Sequence, residues 1–469
     1  MQIALSTLID VVQATSHTLA DRADLETPIA TRITTDSREL QAGDVFVALR
    51  GETFDGHRFV AGVIAAGAIV AIVDQRVEPA TPGETLPQIV VKNTLTAYQA
   101  IARWWRDTLG TTTIGITGSV GKTTTKELIA AVLGHDGLVL KTQKNYNNEI
   151  GVPKTLLDLT PDHKYAVVEM AMRGEGQIAE LARIARPDVG VIVNVGTAHI
   201  GLLGSREAIA RAKCELLAEL PETSTAVLNA DNALLMSTAA TVWSGATVTY
   251  GFEAGDFRGQ VNGSQLTIAD PIAQTLPLPL PGQHNASNYL AAIAVASVLG
   301  LDTAWLTQGL RVDLPDGRAK RIALANDITL LDETYNAGLE SMLAAIDLLA
   351  ETPGSRRIAV LGTMKELGDR GEEFHRQVGQ AVVDRGIDAV FVVAEPDAAA
   401  ALTAVIVTTM IPYVVETEET DAARSRVTEK LVEMLQPGDR VLLKASHSVA
   451  IDQIVAALVD QLGLADGSV

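Results

Sequence analysis

The chain is nearly free of cysteine. Cys214 is the one thiol in 469 residues, so no intrachain disulfide can form, and the protein is expected to work in a reducing compartment, the cytoplasm. It also lacks any long apolar run. The longest, Ala61 to Val73, is rich in Ala and Gly and falls short of the roughly 20 residues that a membrane-spanning helix needs, so no stable membrane insertion is expected. Met1 to Gln13 carries Asp10 and no basic leader, unlike a secretory signal. Positive charge is in deficit as well. The 37 Lys and Arg face 57 Asp and Glu, a formal net charge of -20, and that field repels polynucleotide phosphates and anionic membrane surfaces. A nucleic-acid partner is excluded on this ground, and an anionic nucleotide must be held by local basic or N–H-rich pockets.

Apolar residues are plentiful, at 47% against 20% charged, an ordinary globular balance. The length exceeds what one core supports, so about three domains are expected. Residues 1–108 read as a small N-terminal α/β domain, with apolar runs at Val45 to Leu49 and Ile69 to Val73, a loop at Pro79 to Pro87 and a helix at Ala97 to Leu109. Residues 109–312 read as a central parallel sheet of the P-loop ATPase kind. Its strands fall at Thr112 to Thr117, Tyr165 to Met170, Val189 to Val195, Ala226 to Asn229 and Thr247 to Tyr250, its helices at Lys122 to Leu133 and Arg206 to Leu220, and a β-hairpin excursion at Gly255 to Leu280. Apolar runs alternating with helices imply a sheet covered on both faces. Residues 313–469 repeat the rhythm, with strands at Ile328 to Leu331, Ile358 to Leu361, Ala389 to Val393 and Val441 to Leu443, as in a doubly wound, Rossmann-like domain.

The sharpest chemical signal is Thr117-Gly118-Ser119-Val120-Gly121-Lys122-Thr123-Thr124-Thr125-Lys126, set between a strand and a helix. Glycines let backbone N–H groups curl around phosphate oxygens, Lys122 can reach the β- and γ-phosphates, and the Thr123 hydroxyl can ligate Mg²⁺. Ile116 stands where the strict phosphate-loop spacing has its first glycine, so the pattern is a variant. Glu169 ends an apolar strand, where one carboxylate with Thr123 and the phosphates would suffice for Mg²⁺; the residues alone leave open a solvated acid. His199 leaves the next strand through Gly196-Thr197-Ala198, open to a structural or a ligating role. Lys213, inside a charged helix, reads by itself as a surface lysine.

Taken together these motifs resemble the Mur ligase family over nearly the whole chain. Thr35-Asp36-Ser37-Arg38, Gly43 to Leu49 and Gly51 to His57 are similar to its uridine-diphosphate-sugar domain. The phosphate loop with its triple Thr and Lys126, and Asn145-Tyr146-Asn147-Asn148-Glu149-Ile150-Gly151-Val152-Pro153, resemble the branch that adds D-alanyl-D-alanine. The likeness continues through Asn194 to His199, Ala212 to Glu215, Pro281 to Asn285, Gly317-Arg318, Tyr335-Asn336-Ala337, Gly362 to Gly368 and His375. Asp332-Glu333-Thr334-Tyr335-Asn336-Ala337-Gly338-Leu339 departs from the family's paired Asp and its Asn-Pro, and Lys444-Ala445-Ser446-His447 replaces Lys-Gly-Ser-Arg.

The resemblance implies ATP-dependent ligation of D-alanyl-D-alanine to UDP-N-acetylmuramoyl-tripeptide through an acyl phosphate, in peptidoglycan synthesis, by a monomer whose domains close around small-molecule substrates. It implies ATP, two Mg²⁺ ions and a CO₂-modified, carbamylated Lys213. Gly118, Ser119, Val120, Gly121, Lys122, Thr123, Thr124, Asn285, Asp332 and Glu333 would face the nucleotide. Thr123, Glu169, His199 and Lys213 would hold metal, while Lys122, Arg318, Lys213 and His199 would serve catalysis. Ser37, Arg38, Asn145, Asn148, Tyr335, Asn336 and Lys444 would meet substrate. Rivals are another amide ligase of the superfamily, including a folylpolyglutamate synthase, and an ATPase switch that moves a partner.

Overall fold

The protein is described from a computed structural model covering residues 1–19, 28–81 and 85–465. Residues 82–84 of the loop read at Pro79 to Pro87 lie outside the described residues; the remainder of that stretch carries neither helix nor strand.

The N-terminal sheet runs in the order Ser16–His17, Gln88–Val90, Val70–Val73, Asp44–Val47, Arg32–Thr34, with the last four strands parallel to one another. Asp44–Val47 and Val70–Val73 are buried along their full length, as the continuous apolar runs require of strands covered on both faces. The run Ala61 to Val73 splits into the helix Val60–Ala65 and the strand Val70–Val73. A helix at Thr94–Leu109, capped by the Asn93 side chain on the Thr96 N–H and closed by left-handed Gly110, leads into the second domain. Its apolar side packs against helices Gly151–Leu157 and Gln177–Ala185, which fixes the first two domains together.

The central sheet has nine strands. Thr112–Thr117 lies between Val189–Ile192 and His163–Glu169, all parallel, with Leu138–Lys141 at one edge and Thr225–Asn229 and Ala246–Gly251 on the other side. The excursion is longer than the hairpin expected at Gly255 to Leu280. Phe257–Asn262, Gln265–Ile268 and Gln274–Pro277 form a three-stranded antiparallel meander continuing the same sheet. The helix Lys122–Leu133 begins where expected and packs on Gln283–Val298.

The third sheet runs Lys320–Leu324, Ile328–Asp332, Asp439–Lys444, Arg356–Gly362, Ala389–Val393, Tyr413–Glu416, parallel except for the first strand. The edge strands Lys320–Leu324 and Tyr413–Glu416 are mostly exposed or half-buried, Leu324 being the fully buried exception, and their apolar runs of three residues are too short to mark a strand in the sequence. These three larger sheets place their motif loops at the carboxyl ends of parallel strands, where ligands meet folds of this kind.

Candidate active site

The loop Gly118–Gly121 links the buried strand Thr112–Thr117 to the helix that starts at Lys122. Gly121 takes φ +83, and a Cβ there would lie 2.8 Å from the Asn288 Oδ1, so glycine is needed for conformation and for space alike. The loop is held from below by Asn194. Its Oδ1 accepts the Ser119 and Val120 N–H groups at 3.1 and 3.0 Å, and its Nδ2 donates to the Val120 carbonyl at 3.0 Å. The Ser119 Oγ accepts the Gly196 N–H at 2.8 Å. The first-turn amides of the helix beginning at Lys122 have no intrahelical acceptors, which makes the turn suited to an anion. The Lys122 ammonium folds back onto the Gly118 and Ser119 carbonyls at 2.7 and 3.2 Å. Burial, with Arg318 nearby, lowers its pKa, and the Glu169 charge opposes that shift.

Thr123 and Glu169 meet beside this turn, the Thr123 hydroxyl donating to Glu169 Oε2 at 2.9 Å. Glu169 is only 3% exposed, so it is not a solvated strand end. Its other oxygen accepts the Asn147 Nδ2 at 2.8 Å. Of the three asparagines in the Asn145–Asn148 segment, the structure therefore brings Asn147 to the site. Asn145 is exposed, and the Asn148 Oδ1 accepts the Gly151 N–H at the start of a helix. Lys126, buried behind, donates to the Thr142 carbonyl at 2.6 Å and lies 3.0 Å from Glu127 and 4.0 Å from Glu169.

Lys213 corrects the surface reading taken from its helix alone, being 1% exposed. The helix Arg206–Ala218 is covered by Gln177–Ala185 and Ala233–Val242, which the charged pattern of its sequence hid. Burial first, then the Lys122 charge, push the Lys213 ammonium well below the usual lysine range. Among the described residues the charged groups that act on it are Lys122 and Cys214, with no carboxylate among them. The His199 Nδ1 lies 2.6 Å from Glu366 Oε2. Burial lowers the His199 pKa, the Lys122 and Lys213 charges add to this, and Glu366 opposes it. Lys122 thus shares its field with Glu169, His199 and Lys213. Among the described residues no group of three or more His, Cys, Asp or Glu side chains is gathered as a metal cage.

The C-terminal domain supplies a second wall. The Arg318 guanidinium stacks on the Tyr335 ring at 3.7 Å, and that ring stacks on His447 at 5.7 Å. Lys444 Nζ donates to the Asn336 and Glu333 carbonyls at 2.8 and 3.3 Å, so its ammonium secures the turn that carries Tyr335. Burial raises the Glu333 pKa, and Lys444 opposes it; Asp332 accepts the Thr334 N–H and hydroxyl. Although Asn-Pro is missing, the turn still starts a helix at Leu339. Extended Gly338 is its cap, and the Ser341 hydroxyl accepts the Gly338 N–H at 3.1 Å. The Asn285 Nδ2 donates to the Pro281 carbonyl at 2.8 Å. In the N-terminal domain Arg38 pairs with Asp36 through two bonds of 2.9 and 2.6 Å on an exposed turn beside Ser37.

The chain matches three family models: Mur ligase family, catalytic domain, over residues 30–106; Mur ligase middle domain over 116–296; and Mur ligase, glutamate ligase domain, over 317–447. It is 58% identical to the UDP-N-acetylmuramoyl-tripeptide–D-alanyl-D-alanine ligase of a Synechocystis strain, over 91% of each chain. Among solved structures, a MurF from Acinetobacter baumannii superposes with a TM-score of 0.87 at 29% identity, over 98% of this chain and 99% of that one. A MurF ligase from Thermotoga maritima in complex with ADP gives 0.82 at 29% identity, over 92% and 98%.

Proposed function

The chain belongs to the Mur ligase family, and from that premise we propose that it joins D-alanyl-D-alanine to UDP-N-acetylmuramoyl-tripeptide with hydrolysis of ATP to ADP and phosphate, in the cytoplasm, as a monomer. The observation that carries this reading is the phosphate turn at Gly118–Thr123 with the Thr123–Glu169 pair at its side, in a chain 58% identical to a ligase of that specificity.

Amide formation from a carboxylate is uphill in water, so one carboxylate oxygen must first become a good leaving group. An oxygen of the tripeptide carboxylate attacks the γ-phosphorus of ATP, forming an acyl phosphate as the bond to ADP breaks. The deprotonated dipeptide nitrogen then attacks the acyl carbon, and phosphate departs. Lys122 and the first-turn amides of its helix hold the phosphates, and Arg318, rigid on the Tyr335 face, offers a fixed cation from the other domain. Positioning and charge neutralisation of this kind supply most of the catalysis in phosphoryl transfer. Docking of the C-terminal domain excludes water that would hydrolyse the acyl phosphate.

The Thr123 hydroxyl and Glu169 carboxylate are a hard-oxygen pair of the kind that holds Mg²⁺ with phosphate oxygens. When bound, the metal neutralises charge on the β- and γ-phosphates. Lys213 fits a further role. Burial shifts this ammonium toward the neutral amine, the form that adds CO₂ with loss of a proton to give a carbamate. The product is an anion beside His199 and Lys122, suited to a second Mg²⁺.

Phosphate release from UDP-N-acetylmuramoyl-tripeptide and ATP, measured with and without D-alanyl-D-alanine, tests the reading. Turnover that needs both carboxylate and amine supports it; rapid turnover without amine points to the ATPase switch.

A further inference from the structure

Glu340 lies in the first turn of the helix Leu339–Glu351, in the C-terminal domain, yet its carboxylate is bonded to the middle domain. Oε1 accepts the Thr197 N–H at 2.7 Å and Oε2 accepts the Thr197 hydroxyl at 3.0 Å. Thr197 is buried, and neither contact involves a flexible surface cation. The adjoining residue, Gly196, donates its N–H to the Ser119 Oγ of the phosphate loop at 2.8 Å. A Cβ on Gly196 would stand 2.6 Å from Glu340 Oε1, so the carboxylate fits against bare backbone. Two residues earlier, Asn194 holds the Ser119 and Val120 N–H groups. A continuous set of bonds therefore runs from a carboxylate of one domain, through Thr197 and Gly196, to the loop of another. Nothing local in the sequence marks Glu340, because its partners lie 143 residues away.

We infer that Glu340 is a positioning residue that couples docking of the C-terminal domain to the shape of the phosphate loop. Only the docked arrangement gives the carboxylate its two Thr197 donors. Bonds from a charged acceptor are the stronger class, and a contact made in one of two arrangements shifts their balance by its own strength. Nucleotide that settles on a Ser119 loop shaped by Gly196 thereby favours docking, and docking favours nucleotide by the same factor. The inference rests on the ligase reading, in which the loop holds ATP.

The test is the affinity of a non-hydrolysable ATP analogue with Mg²⁺, measured calorimetrically on the full chain, together with kcat and KM for ATP. Glu340→Ala is expected to weaken the analogue by about tenfold, the effect of one charge-assisted bond, and to lower kcat. Glu340→Gln keeps one acceptor oxygen and should fall between, and it carries the test alone if the alanine variant fails to fold. In a cycle with Ser119→Ala the double variant should lose little more than Glu340→Ala does, since both act along one path. A wild-type affinity unchanged in Glu340→Ala or Glu340→Gln, or losses that simply add, would overturn the coupling. Failure of the wild type to bind the analogue at all would instead refute the nucleotide reading of the loop.

Discussion

The Thr123 hydroxyl points at Glu169, 2.9 Å from its Oε2, although the two residues come from a helix start and a strand end 46 positions apart. Both are buried, and the second carboxylate oxygen is held by Asn147. A fixed, water-poor pair of oxygens beside a phosphate turn is the arrangement that a Mg²⁺–nucleotide complex requires.

Thr123→Val keeps the shape and removes the hydroxyl. Loss of a buried donor to a carboxylate should lower the melting temperature modestly, while ADP affinity loses most of its dependence on Mg²⁺. Calorimetric titration of ADP with and without the metal checks this, and an unaltered metal dependence would show that the hydroxyl plays no part.

Asn147→Ala frees one oxygen of Glu169. Groups that orient a metal ligand are worth about tenfold to a hundredfold in affinity or activity, so the Mg²⁺ concentration for half-maximal turnover should rise by about tenfold. Asn145→Ala, on an exposed residue with no bond to the carboxylate, should not move it.

Much of this site was legible in the sequence because its chemistry is local. Residues 117–126 carry strand end, glycine turn, lysine and hydroxyl in one stretch, and Glu169 is the last residue of an apolar strand. The choice among Asn145, Asn147 and Asn148 depends on the irregular backbone of one turn, which no periodicity encodes. Burial of Lys213 follows from two helices packed over a helix that is charged in sequence. The strand Gln274–Pro277 was missed because it offers a single apolar residue, Leu276, between polar neighbours and a proline, too little for an alternating pattern. Contacts between domains, such as those of Glu340 and Glu366, leave no trace in the local pattern.

Lys213 should be carbamylated. With ¹³CO₂ supplied, wild-type protein should show a carbamate carbonyl resonance that Lys213→Arg lacks. Lys213→Ala should be inactive and recover part of its turnover with a short carboxylate such as formate, which replaces the missing anion. Full activity in the alanine variant without any added anion would remove the role.

His284, at the start of the helix Gln283–Val298, has a pKa lowered to about 4, by burial first and then by Lys444, with Asp347 opposing. The folded value lies below the ordinary 6.5, so the unfolded chain binds the proton more readily. Its contribution to stability is full above 6.5 and is lost as pH falls toward about 4. Melting temperatures measured across that window should fall for the wild type and fall less for His284→Gln. Equal slopes in the two proteins would show that other groups govern the acid limb.

Ligation through an acyl phosphate moves one oxygen of the tripeptide carboxylate onto the released phosphate. Tripeptide substrate labelled with ¹⁸O in its terminal carboxylate, turned over with ATP, Mg²⁺ and D-alanyl-D-alanine, should release phosphate carrying one labelled oxygen for each peptide bond formed. Unlabelled phosphate accompanying the same product would contradict the acyl phosphate and, with it, the role given to Lys122 and its loop.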